Sequence, residues 1–109
     1  GIAPRYEQKT FADAEKRGQL RLVGSSDGRD GSIVIQQAVE LFAAILKAGE
    51  RVTHSLRTGR KAWLQVIRGS IEANGRRLDA GDGAAAQDEA ALTLDGQFDS
   101  TEILLFDLP

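Results

Sequence analysis

The chain has 109 residues, with 14 Lys and Arg, 16 Asp and Glu, one His and no Cys or Met. That length fits one compact domain, able to bury roughly two-thirds of its unfolded surface without a disulfide or metal staple. The absence of cysteine excludes a disulfide framework, a thiolate metal site and a Cys nucleophile; one histidine excludes a two-histidine metal site within one chain; and a formal charge of −2 gives no general attraction to nucleic acid or an anionic membrane.

Residues 1–18 read as a polar arm or inter-domain linker, in which Asp13–Lys16 makes one helical turn stopped by Gly18. Residues 19–109 read as the domain. It begins at Gln19-Leu20-Arg21-Leu22-Val23, whose alternation is that of a half-buried strand. Gly24 to Ser32 is a dense turn cluster. It is not an EF-hand calcium loop, because Arg29, Gly31 and Ala38 stand where that loop needs acidic ligands. Ile33-Val34-Ile35 reads as strand. Ala38 to Gly49 is two-sided: propensity favours a helix capped by Gly49, whereas Val39, Leu41 and Ala43 alternate as in a strand. Local composition favours the helix.

Ala62–Arg68 is a strand. Ser70–Ala73 and Arg76–Leu78 form a hairpin closed by Asn74-Gly75, the pair that suits a type I′ turn. Gly81-Asp82-Gly83 marks another turn, and Ala91–Leu94 and Glu102–Phe106 are two further strands. Many short strands punctuated by turns predict an antiparallel sandwich or barrel. The longest apolar stretch is too short to span a bilayer, and no signal-peptide pattern opens the chain.

The turn spacing resembles the cupin family, whose first motif is G-x5-H-x-H-x3-4-E-x6-G. Gly49 and Gly69 bracket the longer version of it. Counting back from Gly69 puts the Glu position on Ala62 and the His positions on Ser55 and Arg57; a one-residue shift sets His54-Ser55-Leu56 on H-x-H. The second motif, G-x5-P-x-G-x2-H-x3-N, runs from Gly75 with Gly81 at the Pro, Ala86 at the His and Ala90 at the Asn. The turn glycines are present; the ligands are not. A mononuclear cupin site is built from about three or four imidazole and carboxylate ligands, and alanine coordinates nothing.

A more specific resemblance is carried by Arg17-Gly18-Gln19-Leu20-Arg21-Leu22-Val23, Asp27-Gly28-Arg29-Asp30-Gly31-Ser32, Ala62-Trp63-Leu64-Gln65-Val66-Ile67-Arg68-Gly69 and the ending Leu104-Leu105-Phe106-Asp107-Leu108. These runs look like the C-terminal half of pirin-like proteins. The resemblance implies an all-β cupin double-stranded β-helix over residues 19–109, preceded by an extended arm, with residues 39–48 as barrel strand rather than helix. It implies two cupin domains in the parent polypeptide. The N-terminal one carries the metal ion and is associated in some bacterial members with quercetin 2,3-dioxygenase activity, an oxygenation of a flavonol. The C-terminal one usually lacks the ligands. The expectation for this chain is therefore a metal-free, catalytically silent domain with no cofactor of its own. Its partner is the N-terminal cupin domain or a second copy in a homodimer, in the cytoplasm, with no nucleic acid and no membrane. Beside the linker-like arm, the missing Met favours a domain cut from a longer protein.

His54 is the single candidate catalytic residue. The alternative to a silent domain is a stand-alone cupin that binds a small molecule in its barrel, or a metal-independent enzyme using His54 with Asp82 or Asp79. The commoner fate of such a histidine is a barrel-end ring satisfied by one hydrogen bond. Arg57, Arg60 and Lys61, with Arg68, Arg76 and Arg77, read as a solvated basic face balanced by Glu72, Asp79 and Asp82. With Ala62, Leu64 and Val66 facing inward, Trp63 and Gln65 face outward. Ala62 and Ala86 leave interior space, which Leu56, Leu64 and Phe106 are expected to fill.

Overall fold

A computed structural model describes residues 11–35, 38–87 and 89–109. Among the described residues, ten strands form two sheets: β1 (Arg21–Ser25), β2 (Ile33–Val34), β3 (Glu40–Leu46), β4 (Arg51–Ser55), β5 (Lys61–Arg68), β6 (Ser70–Ala73), β7 (Arg76–Asp79), β8 (Gly83–Gln87), β9 (Ala91–Gly96) and β10 (Thr101–Leu108). The larger sheet has the order β2-β1-β3-β10-β5-β8, and the smaller has β4-β9-β6-β7. Among the described residues the strand-to-strand pairings are antiparallel except β1 with β2, and an isolated parallel bridge joins Arg17 to Ile45. This is the all-β architecture of a cupin barrel.

The core lies between the sheets and follows strand alternation. Ala62, Leu64 and Val66 of β5 and Ile103 and Leu105 of β10 point in from one sheet; Val52, Ile71, Leu78, Leu92 and Leu94 meet them from the other. Asn74 and Gly75 both have positive φ, at 48° and 83°, as the two-residue turn between β6 and β7 requires.

The helix favoured by propensity at Ala38–Gly49 does not form. Glu40–Leu46 is a strand held on both sides, by β1 and by β10. Ala43, Ala44, Ile45 and Leu46 are all buried. A strand covered on both faces carries a continuous apolar run, which local reading cannot tell from a helix. The cover on the outer face comes in part from the arm. There α1 (Asp13–Lys16) precedes Gly18, whose N–H donates to the Ile45 carbonyl at 2.8 Å. Strand β1 also runs further than its alternation suggests, through Gly24 and Ser25 into the turn cluster. Among the described residues no helix is long and apolar enough to cross a membrane.

Candidate functional site

Strand β4 turns Val52 and His54 toward the interior, and Leu56 follows in the same phase. The inward register therefore selects the shifted alignment, with His54 and Leu56 at the two H-x-H positions. Across the gap, β10 buries alternate residues Thr101, Ile103, Leu105 and Asp107. The same alternation that buries three apolar or hydroxyl side chains thus delivers a carboxylate to the interior.

His54 Nε2 lies 2.8 Å from Asp107 Oδ2, and the two side chains are 13% and 2% exposed. Asp107 Oδ1 accepts from Arg60 Nε at 2.7 Å, and Arg60 is 14% exposed. Arg60 Nη2 donates to the Asp107 carbonyl at 3.0 Å and to the Ala38 carbonyl at 2.8 Å. The Phe42 ring lies 4.8 Å from the imidazole, tilted by 55°. Arginine is permanently charged, so Asp107 is paired as a carboxylate. An ionised carboxylate only accepts, so the His54 proton sits on Nε2 and is donated to Asp107. Each Asp107 oxygen holds a donor, and the three side chains clasp β4, β10 and the β4–β5 loop together.

This clasp corrects two expectations. The partner of His54 is Asp107, not Asp79 or Asp82. Asp79 accepts from Ser70 Oγ at 2.9 Å and Arg77 Nε at 3.1 Å, and Asp82 Oδ2 accepts the Asp79 N–H at 2.9 Å. Both belong to the end of β7 and its following turn, at the opposite edge of the smaller sheet from β4, with β9 and β6 between. The hydrogen bond from Ser70 comes first, with that from Arg77, in holding the Asp79 carboxyl below its ordinary value. Nor is Arg60 part of a solvated basic face; it is committed to Asp107. Arg57 does lie exposed, 2.8 Å from Glu40, which also takes Arg29. Sequence reading missed both acceptors, Glu40 and Asp107. The available signal was the phase of Asp107 with Leu105, Ile103 and Thr101.

Ala62 and Ala86 are direct partners across β5 and β8. They line a cavity of about 70 Å³ with Leu64, Ala84, Leu92 and Glu89 among its walls. Leu56, Leu64 and Leu92 fill the space around it. Phe106 does not; it lies out of phase with Asp107 and joins Trp63 on the outer surface. Trp63 faces outward as expected, 40% exposed. Among the described residues, the donors at this end of the barrel are the His54 imidazole, the Asp107 carboxylate already bonded to arginine and the Glu89 carboxylate on the cavity wall, and they do not form a group that could hold a metal ion. That set does not fit the three or four ligands of a cupin metal site.

Comparison with known proteins decides the family. Residues 22–108 match the quercetinase C-terminal cupin domain. The chain belongs to this family. The quercetin 2,3-dioxygenase of Escherichia coli K12 is 43% identical over 109 residues, covering 100% of this chain and 46% of that protein. The crystal structure of YhhW from E. coli superposes with a TM-score of 0.89 at 40% identity, covering 100% of this chain and 45% of that one. A structure of bacterial pirin YhhW in complex with nickel(II) gives 0.88 at 42% identity, again with 45% of that chain covered. The cupin domain thus spans about half the length of these relatives, and the pirin-like resemblance read from its motifs holds.

Proposed function

We propose that this cupin domain is the metal-free, catalytically silent C-terminal half of a pirin-like bicupin, and that it serves packing and assembly rather than turnover. The observation that carries the reading is the state of the ligand positions. His54 is bound by Asp107, and Ala62 and Ala86 present methyl groups where a carboxylate and an imidazole would stand. In a parent of the quercetin 2,3-dioxygenase type, oxygenation of the flavonol and the metal ion belong to the N-terminal cupin domain. A cytoplasmic setting is in keeping with a chain that contains no cysteine.

The His54–Asp107 contact favours a second reading, a metal-independent enzyme built on a His–Asp pair. The interior weighs against it. A cavity of about 70 Å³ lies far below the several hundred Å³ typical of small-molecule sites, and His54 is absent from its walls.

The test is metal analysis and quercetin turnover on the purified chain, before and after chelation. Substoichiometric metal and no turnover are expected. Turnover that survives chelation, or stoichiometric metal lost in His54→Ala, overturns the reading.

A further inference from the structure

Asn74 is the chain's single asparagine, and Gly75 follows it at the tip of the β6–β7 hairpin. The ladder between β6 and β9 ends with Ala73 opposite Leu94. The Asn74 side chain carries it one rung further. The Asn74 N–H donates to the Thr93 carbonyl at 2.9 Å, and the Thr93 N–H donates back to Asn74 Oδ1 at 2.7 Å. Asn74 Nδ2 donates to the Ala91 carbonyl at 3.2 Å and to the Glu89 carboxylate. Oxygen and nitrogen of the carboxamide are thus both committed to β9 and the loop that leads into it. The other side of the turn is open: a Cβ built on Gly75 would meet nothing within 4 Å. The Gly75 nitrogen carries no side chain to hinder it from meeting the preceding carboxamide, which is what makes an asparagine before glycine chemically labile.

We propose that Asn74 is a site of spontaneous covalent modification and that Glu89 is the latch that sets its rate. In the reaction the Gly75 nitrogen attacks Asn74 Cγ. A C–N bond forms, the Cγ–Nδ2 bond breaks, and the amide proton passes through water to the leaving nitrogen, which departs as ammonia. Water then opens the cyclic imide at either carbonyl, giving aspartate or isoaspartate. While the carboxamide is held against β9, Cγ cannot swing onto the Gly75 nitrogen. The Glu89 contact is the charge-assisted one, the stronger kind, and so the main restraint. The product does not re-form it. A carboxylate at position 74 only accepts, so it would face the Glu89 carboxylate and the Ala91 carbonyl with no proton to offer either. Isoaspartate also lengthens the backbone inside a two-residue turn. One conversion therefore unfastens the hairpin tip from β9.

The purified chain is aged at mildly alkaline pH, and the tryptic segment 69–76 is followed by mass spectrometry together with released ammonia. With one asparagine in the chain, amide-to-acid conversion in that segment reports Asn74 alone. Conversion is expected to be slower in the folded chain than in a free peptide of the same segment. Glu89→Ala is expected to raise the rate about tenfold, the scale of one hydrogen bond to a charged group. Glu89→Gln keeps an acceptor and should stay near wild type. Ile103→Val trims the core of the other sheet and should leave the rate unchanged, because opening of the hairpin tip is local. Asn74→Asp, which stands for one product, should speed hydrogen exchange at the Thr93 N–H.

Equal rates in wild type and Glu89→Ala overturn the proposal, as does a wild-type rate matching that of the free peptide. So does an Ile103→Val variant that speeds conversion as much as Glu89→Ala, which makes global unfolding the controlling step. Unchanged exchange at Thr93 in Asn74→Asp overturns the release of the hairpin tip. None of these readouts depends on metal or turnover, so they fail independently of the silent-domain reading.

Discussion

His54 and Asp107 join the two sheets of the barrel through one hydrogen bond of 2.8 Å, although 53 positions separate them in sequence. Asp107 belongs to the larger sheet and His54 to the smaller. A carboxylate this deeply buried is tolerated because each oxygen is occupied, one by His54 and the other by Arg60. The imidazole at an H-x-H position is thus engaged by protein.

Removing the carboxylate should leave the largest mark on stability. Asp107→Ala strands Arg60 with one ionic partner lost, a change expected to cost about 3–5 kcal/mol. His54→Ala removes only a donor and should cost less, about 1–3 kcal/mol. Urea unfolding of the two single variants, of Arg60→Met and of the Asp107→Ala/Arg60→Met double variant checks this. The double variant should be more stable than Asp107→Ala alone. If all the variants match wild type, the clasp contributes nothing to stability.

Asp79 gives a pH prediction with a definite sign. Its folded pKa is lowered, first by the Ser70 hydrogen bond and then by Arg77. A carboxyl with a depressed folded pKa adds stability above its unfolded pKa, and that contribution is lost as pH falls through the folded value. The carboxyl resonance of Asp79 should therefore titrate below the ordinary aspartate range. In Ser70→Ala it should move up toward that range, and the acid-side loss of stability should begin at higher pH. Because Asp79 is exposed, the stability effect should be small and weakened by salt. A titration midpoint unchanged by Ser70→Ala would count against the hydrogen bond.

Much of this fold was legible because apolar alternation and turn chemistry agree. Strands β5, β9 and β10 alternate buried and more exposed positions, and Asn74-Gly75 fixes the hairpin. Besides β3, whose continuous apolar run reads locally as helix, two strands were not legible, for different reasons. Strand β4, Arg-Val-Thr-His-Ser, places only Val52 and His54 inward, which is too few apolar residues for a periodic signal. Strand β8, Gly-Ala-Ala-Ala-Gln, has little intrinsic preference for a strand; it is extended because it pairs with β5 from Lys61 to Gln65. The candidate site was half legible. His54 was visible as the sole imidazole, and Ala62 and Ala86 by motif spacing. Asp107 was hidden because nearby turn aspartates offered a simpler partner. The phase of β10 pointed the other way: an aspartate in step with buried Ile103 and Leu105 needs a buried partner of its own.

The alanine-lined cavity should accept a small apolar side chain. Ala86→Val adds two carbon atoms to the wall of a cavity of about 70 Å³, and each buried CH₂ is worth about 0.8 kcal/mol before strain. Valine also suits a strand better than alanine. A net gain of about 1 kcal/mol is expected in urea unfolding at an unchanged m-value. A loss of similar size would show that the walls leave no room and that overpacking prevails.

Restoring the motif residues should not restore the metal. In Ala62→Glu/Ala86→His the two new side chains would stand as direct partners on β5 and β8. A glutamate and an imidazole there meet a cavity of about 70 Å³, so overpacking should cost about 1–3 kcal/mol. The only natural imidazole in reach is already donating to Asp107, whose carboxylate is also held by Arg60. Recruiting His54 would break that contact and leave Asp107 short of a donor. Calorimetric titration with Ni(II) and with Fe(II) under anaerobic conditions should therefore show no tight, stoichiometric binding. Adding Asp107→Asn should raise the affinity by freeing the imidazole, at a cost in stability. Tight one-to-one binding by the simple double variant would show that ligand identity alone limits this barrel and that the His54–Asp107 contact yields readily to a metal.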